Sequence, residues 1–185
     1  MSPSGKPVPR PGRVLITAEE LDKRVRELGQ AIAQRYRDEH PVLVGVLQGA
    51  FVFMADLVRA TPIDVVTDFI GVASYGLGTR PSGQVRLLSD LSIPVEGRHV
   101  MLVEDLIDTG LTLAYLKRNV QARHPRSVGV CVLLDKIERR QVDVEVDYVG
   151  FTIPNVFVVG YGFDYGGLYR NLEHVAVLEG VDGPP

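Results

Sequence analysis

The chain has 185 residues, 45% hydrophobic and 23% charged, which is the size and composition of one globular domain and excludes a disordered acidic chain, a collagen-like fibre or a disulfide scaffold. Its 20 Lys and Arg against 23 Asp and Glu leave a formal charge of −3, which argues against a protein that coats a nucleic-acid duplex. A single cysteine, Cys131, fits a reducing compartment, and no apolar run approaches the ~20 residues of a membrane helix or forms the core of a signal peptide. The expectation is a soluble, cytoplasmic protein with no membrane or nucleic-acid partner.

Residues 1–13, MSPSGKPVPRPGR, lack periodicity and are expected to form a disordered tail, leaving 14–185 as one domain. Thr17 and Glu20 make a capping box, and the helix it opens places Leu21, Val25, Leu28 and Ile32 on one face. After Pro41, the run VLVGVL over 42–47 is β-branched and apolar throughout, as in a parallel strand buried on both faces. A turn over 48–50 and a helix over 51–60 follow. Then come a strand over 63–75, a Gly- and Pro-rich stretch over 75–84 and a returning strand over 85–90. Residues 99–104 are the next buried strand, 105–110 a loop, and 112–122 a helix with Leu113, Leu116 and Val120 on one face. A strand over 127–135 and short β segments over 147–151, 156–162 and 174–180 complete the chain. Strands alternating with helices predict an α/β domain whose mostly parallel central sheet is flanked by helices, turning β-rich near its end.

The stretch that carries chemistry is VMLVEDLIDTGLT, Val100 to Thr112. Apolar residues bring a strand to its carboxyl end, where open α/β sheets bind ligands. Thr109, Gly110, Leu111 and Thr112 then lead into a helix, whose free N–H groups and positive dipole end suit a phosphate. Glu104, Asp105 and Asp108 would repel that phosphate, but they suit ribose hydroxyls and a hard cation such as Mg2+. A sugar phosphate with a metal-bound pyrophosphate would use both features. An acidic loop with an ordinary helix cap is the plainer alternative, and the pattern is not a P-loop.

This stretch resembles the phosphoribosyl-diphosphate (PRPP) motif of the type I phosphoribosyltransferases, and Glu-Asp-Leu-Ile-Asp-Thr-Gly resembles its hypoxanthine-guanine branch. Further matches lie in order: Leu47-Gln48-Gly49-Ala50 with the pyrophosphate loop, Asp68-Phe69 and Ser74-Tyr75-Gly76 with the start of a mobile lid. Lys136 matches the purine-reading lysine, and Phe157 to Tyr161, Asp164-Tyr165 and Tyr169 to Leu172 match the purine and pyrophosphate segment. The resemblance covers residues 14–180. It implies a type I phosphoribosyltransferase fold with a small β-rich hood, and transfer of a phosphoribosyl group from PRPP to a 6-oxopurine with release of pyrophosphate. It also implies Mg2+, a homodimer or homotetramer, and a cis peptide at Leu47–Gln48.

Residue roles follow from the same resemblance. Asp108 is the expected catalytic residue, managing the proton at purine N7, and Asp108 to Thr112 cradle the 5′-phosphate. Glu104 and Asp105 hold the ribose hydroxyls and, with Asp164, Mg2+. Gln48, Gly49, Ser74, Tyr75 and Arg170 serve the diphosphate; Lys136 donates to purine O6, Phe157 covers the purine face, Val158 offers backbone groups to its edge, and Asp164 stands by its 2-position. On residue type alone, Lys136 reads as a solvated strand-end lysine, Phe157 as a core aromatic and residues 74–83 as a long hairpin loop. Gln48 stands where many relatives carry Lys or Arg, and Gly71 and Ala73 lack basic side chains found in some. A xanthine or other-base transferase, or a PRPP-sensing regulator that binds nucleic acid, are the competing readings. His40, His99, His124 and His174 show no metal-ligand spacing, and Cys131 is expected to be a buried thiol.

Overall fold

A computed structural model describes residues 9–74 and 85–181. Six strands form the main sheet: β2 (Val42–Leu47), β3 (Val66–Ser74), β4 (Val85–Ser89), β5 (His99–Ile107), β6 (Ser127–Asp135) and β7 (Tyr148–Thr152), in the order β4-β3-β2-β5-β6-β7. All neighbours are parallel except β4, which returns antiparallel along β3. A separate antiparallel sheet of order β1-β9-β8 is built from β1 (Arg10–Ile16), β8 (Val158–Val159) and β9 (Val175–Glu179). It is the hood.

The two-residue period of the strands sorts the core into two layers. Leu43, Met101, Val103, Cys131 and Leu133 face the helices α1 (Ala18–Tyr36) and α2 (Phe51–Ala60) and the hood residues Val158, Phe163 and Val175. Val42, Val44, Val100, Leu102, Val130 and Val132 face α3 (Leu111–Gln121) through Leu113, Leu116 and Val120. That double burial is why β2 is apolar at every position except Gly45. The capping box at α1 forms as expected: Glu20 N–H donates to Thr17 Oγ1 at 3.2 Å and Thr17 N–H donates back to Glu20 Oε2 at 2.8 Å. Such a cap contributes about 1 kcal/mol.

Three expectations differ from the structure. Residues 10–13, expected within the tail, lie in β1 and pair with β9, Arg10 opposite Glu179 and Pro11 opposite Leu178. β1 is an edge strand, where a proline costs no ladder hydrogen bond on its outer side. Residues 105–107, expected in a loop, continue β5, because β6 pairs with it as far as Ile107 and Asp135. The strand expected over 156–162 shortens to Val158–Val159, since Gly160, Tyr161 and Gly162 all take positive φ. Among the described residues, no helix is long and apolar enough to cross a membrane.

Asp68, matched in sequence to the approach of the lid, is an anchor. Its buried carboxylate accepts hydrogen bonds from the N–H groups of Phe69 (2.8 Å), Ser92 (2.8 Å) and Ile93 (3.2 Å) and from Ser92 Oγ (2.9 Å). Burial pushes this carboxyl up, but the hydrogen bonds from Phe69, Ser92 and Ile93 outweigh it and hold it below the ordinary value of 3.8. A carboxyl depressed in the folded state stabilises the protein above its unfolded value, and that contribution is lost as pH falls through the folded one. Asp68→Ala is expected to cost about 3 kcal/mol by stranding buried donors. Asp68→Asn is expected to flatten the loss of stability below pH about 4. Urea midpoints measured from pH 7 to pH 3 check both; parallel curves for wild type and Asp68→Asn would count against the anchor.

Candidate active site

The carboxyl ends of β2, β5 and β6 meet the hood around a cleft of about 720 Å3 lined by Gln48, Gly49, Asp105, Asp108, Lys136, Phe157, Val158, Asp164 and Arg170. A second, small pocket of about 90 Å3 opens beside it, lined by Glu104, Asp108, Thr109, Gly110 and Thr112. Asp108 lines both.

The small pocket is made by the turn from β5 into α3. Gly110 occupies the helix cap with φ 81° and no side-chain cap, so the first-turn N–H groups of α3 face outward without a carboxylate on them. A β-carbon at Gly110 would be strained and would stand 3.1 Å from Val142 Cγ2 and 3.2 Å from its carbonyl oxygen. Leu111 N–H reaches Thr109 Oγ1 at 3.4 Å, and the Thr109 carbonyl accepts from the N–H groups of Gln141 (3.0 Å) and Val142 (3.3 Å). The turn is therefore braced from the far side while its donors stay available. This arrangement suits a phosphate.

The main cleft is floored by the loop after β2. The Leu47–Gln48 peptide is cis. A β-carbon on Gly49 would lie 1.6 Å from Asp105 Oδ2, and one on Gly162 would lie 2.4 Å from the Gly49 carbonyl oxygen. These two glycines let Asp105, the loop and the hood come together. Glu104 and Asp105 point into adjoining compartments, not one. Burial, then the neighbouring Asp105 charge, pushes the Glu104 carboxyl well above its usual range, and burial likewise raises Asp105 despite the Leu106 N–H at 2.9 Å and the Arg170 charge. Among the described residues, Glu104 Oε2 is buried without a hydrogen-bond partner. Hard oxygens held in this way fit ribose hydroxyls or a cation such as Mg2+. Among the described residues, no three acidic, His or Cys side chains converge as a complete metal cage.

Across the cleft, Arg170 joins the hood to the loop: it donates to the Gly162 carbonyl at 2.5 Å, pairs with Asp164 Oδ1 at 2.6 Å and reaches Gln48 Oε1 at 3.5 Å. Asp164 also accepts from Gly167 N–H at 2.7 Å. Lys136 is only 3% exposed, against the solvated lysine that residue type suggests, and burial lowers its amine below the ordinary value, partly offset by Asp108. Phe157 lines the cleft with its ring edge-on to Tyr165 at 5.8 Å, so it is not a core aromatic. The Val158 side chain is in the core. Tyr75 and the rest of the lid lie outside the described residues, and of Ser74 only the backbone is described, at the end of β3.

Sequence reasoning missed Gly71, Val72, Leu88, Ser89 and Phe163, which also line the cleft. It missed Arg139, whose Nε donates to Asp108 Oδ1 at 2.9 Å.

A family model described as the phosphoribosyl transferase domain matches residues 17–166. The chain belongs to the phosphoribosyltransferase family. Within it, the chain is 48% identical over 172 residues to the hypoxanthine-guanine phosphoribosyltransferase of Mycobacterium avium, spanning 90% of this chain and 85% of that one. It is 46% identical over 167 residues to the Bacillus subtilis enzyme of the same name, spanning 90% and 93%. A crystal structure of a hypoxanthine-guanine phosphoribosyltransferase from Bacillus anthracis superposes with a TM-score of 0.87 at 45% identity, over 91% of this chain and 99% of that one. The fold expected from the resemblance, a type I phosphoribosyltransferase with a mostly parallel sheet and a small hood, is the fold observed.

In this phosphoribosyltransferase, Gly49→Ala is expected to act on the site more than on the fold, because the atom in the way is the free end of Asp105. The variant should melt within a few degrees of wild type. A displacement of the order of 1 Å in Asp105 should lower kcat/KM for PRPP about 10²-fold. Thermal melts and initial rates with varied PRPP check this; an active variant, or one that does not fold, would contradict it.

Proposed function

We propose that this chain is a purine-salvage transferase that joins a 6-oxopurine, hypoxanthine or guanine, to PRPP, giving the nucleoside 5′-monophosphate and pyrophosphate. The observation that carries the reading is the position of Asp108, shared by a pocket suited to phosphate and a cleft holding a buried lysine and an aromatic ring. The names of the Mycobacterium avium and Bacillus subtilis relatives support the same substrates over xanthine.

In this reading the 5′-phosphate sits on the N–H groups from Thr109 to Thr112, with Gly110 permitting close approach and Leu111 contributing its backbone. Glu104 and Asp105 take the ribose hydroxyls. The carbon that is attacked passes through an oxocarbenium-like state, so the protein must position the base, stabilise the leaving group and exclude water. Lys136 donates to O6, a choice that favours a carbonyl over the 6-amino group of adenine. Phe157 covers the purine face, Val158 offers backbone groups to its edge, and Asp108 accepts the N7 proton while N9 attacks. Gln48, Gly49, Ser74, Tyr75 and Arg170 serve the diphosphate, Arg170 through a planar fork matched to phosphate oxygens.

Mg2+ is part of this reading. Asp105 and, across the cleft, Asp164 are the residues that would hold it, with Glu104 expected as a further ligand but lining the adjoining pocket, and it would neutralise charge on the diphosphate oxygens. A cytoplasmic location belongs to the reading too, in keeping with the buried free thiol of Cys131. So does a homodimer or homotetramer; a solved relative from Trypanosoma cruzi, 43% identical, concerns the role of the C-terminal region in oligomeric state and activity. The alternative of a nucleic-acid-binding regulator is disfavoured by Asp108, a group the chemistry needs, standing in the cleft.

The test is a panel of hypoxanthine, guanine, xanthine and adenine with PRPP and Mg2+, following pyrophosphate release. Turnover with hypoxanthine or guanine is expected; turnover with none, or with adenine alone, would overturn the reading. Asp108→Asn is expected to fold and to lower kcat about 10²- to 10⁴-fold, the range of general acid-base help. Lys136→Ala should weaken oxopurine binding more than PRPP binding, as read by the two KM values or by titration calorimetry. An equal loss of both would remove the base-reading role.

A further inference from the structure

Arg139 lies at the end of a single 3-10 turn, Ile137–Arg139, directly after β6. Its Nε donates to Asp108 Oδ1 at 2.9 Å, while Nη2 stands 3.5 Å from Asp108 Oδ2. One carboxylate oxygen is thus firmly held and the other only loosely. The backbone fixes this geometry from both ends. Lys136 N–H donates to the Ile107 carbonyl at 3.0 Å, Arg139 N–H to the Lys136 carbonyl at 2.9 Å, and Gln141 N–H to the Thr109 carbonyl at 3.0 Å. The segment carrying Lys136 and Arg139 is therefore laced to the segment carrying Asp108. Its neighbour Arg140 is committed elsewhere, to Asp135 at 3.0 Å and the Val144 carbonyl at 3.2 Å.

The O6 and N7 atoms of a purine share one edge of the base, so the groups that read them must stand side by side. A buried ammonium next to a carboxylate tends to pair with it, and a Lys136–Asp108 pair would consume both readers at once. A guanidinium on the far oxygen of Asp108 offers the carboxylate another cation. We propose that Arg139 is a positioning residue: it holds Asp108 by one oxygen, keeps it from pairing with Lys136, and leaves the other oxygen turned to purine N7. The pairing is mutual, since the Asp108 carboxylate in turn raises the Arg139 guanidinium above its ordinary value through their hydrogen bond and charge. This inference rests on the proposed base-reading roles of Asp108 and Lys136.

The test is a mutant cycle on the full chain: Arg139→Met, Arg139→Lys, Asp108→Asn and the double variant Asp108→Asn/Arg139→Met, each assayed with varied PRPP and varied hypoxanthine. Arg139→Met is expected to lower kcat/KM for hypoxanthine at least about tenfold through misplacement of Asp108, with KM for PRPP changed less than about twofold. Arg139→Lys, which keeps the cation but loses the fork, should recover part of that loss. In the Asp108→Asn background, removing Arg139 should cost less than about twofold, because the residue through which it acts is already gone. A purely structural role would give the same loss in both backgrounds and would move both KM values; that result overturns the inference. Should Arg139→Met not fold, Arg139→Lys decides: a loss confined to the purine side supports the inference, and unchanged kinetics or an equal loss on both substrates overturns it. An impaired Asp108→Asn beside an unimpaired, folded Arg139→Met sinks the inference alone. An unimpaired Asp108→Asn sinks the reading of Asp108 and the inference with it.

Discussion

Two carboxyl groups stand next to each other at the end of β5, and one of them, Glu104, buries an oxygen that has no hydrogen-bond partner. Taking such groups out of water is unfavourable unless something compensates, and their raised proton affinity is the measure of that cost. A fold that needed only stability would place apolar residues here, as it does at Leu102 and Val103 just before them. At the acids β5 pairs only with β6, a pairing that runs on to Ile107, while its pairing with β2 ends at Val103. The rest of the site follows from this constraint. Gly49 must be glycine because Asp105 leans on it, and Gly162 must be glycine because the hood closes over Gly49. A ligand bearing hydroxyls or a cation relieves the carboxyls, and binding free energy that relieves a buried charge is gained only by the right ligand.

The phosphate side and the base side of the site use different physics. The cradle at the start of α3 is mostly backbone: helix N–H groups, a glycine held at positive φ, and a carbonyl braced by Gln141 and Val142. Its geometry belongs to the strand-turn-helix unit and is indifferent to most side chains. The other side of the cleft presents side chains, Lys136, Phe157 and Asp108, and Asp108 reaches the small pocket as well. Phe157 is steadied by Tyr165, and Asp108 by Arg139. On the proposed reading, substitutions around Lys136 and Phe157 retune which purine is read with less effect on how the sugar phosphate is held.

Much of this was legible in the residues themselves. The cap at Thr17, the doubly buried run over 42–47 and the periodic face of α3 are local patterns, and local patterns survive folding. The phosphate cradle was legible for the same reason, being a contiguous stretch. The base side was not: residue type alone made Lys136 a solvated lysine and Phe157 a core aromatic, and only a resemblance to a known family placed them. Lys136 is buried because residues 136–142 are laced to residues 107–109, a pairing set by the register of β5 on β6 and invisible in either segment alone. Residues 10–13 misled because Pro and Gly signal a tail locally, while β9 supplies a partner, Glu179 for Arg10 and Leu178 for Pro11, far along the chain that overrides the signal. Arg139 was missed because its role exists only when Asp108 is opposite.

The hood makes the site a three-body assembly. Arg170 touches the Gly162 carbonyl, Asp164 and Gln48, so one guanidinium fixes the hood against the loop that follows β2. Gln48 offers its amide oxygen as an acceptor to Arg170, so a neutral side chain serves the contact between the loop and the hood. On the proposed reading, the positive charge facing the diphosphate comes from Arg170 and not from the loop. Two acids, Asp105 and Asp164, flank that charge from opposite sides of the cleft, and the Arg170 charge lowers Asp105 while Asp164 raises it. On the proposed reading, a diphosphate entering this space would meet Arg170 between two acids, and Mg2+ held by those acids would supply the further positive charge that its binding needs.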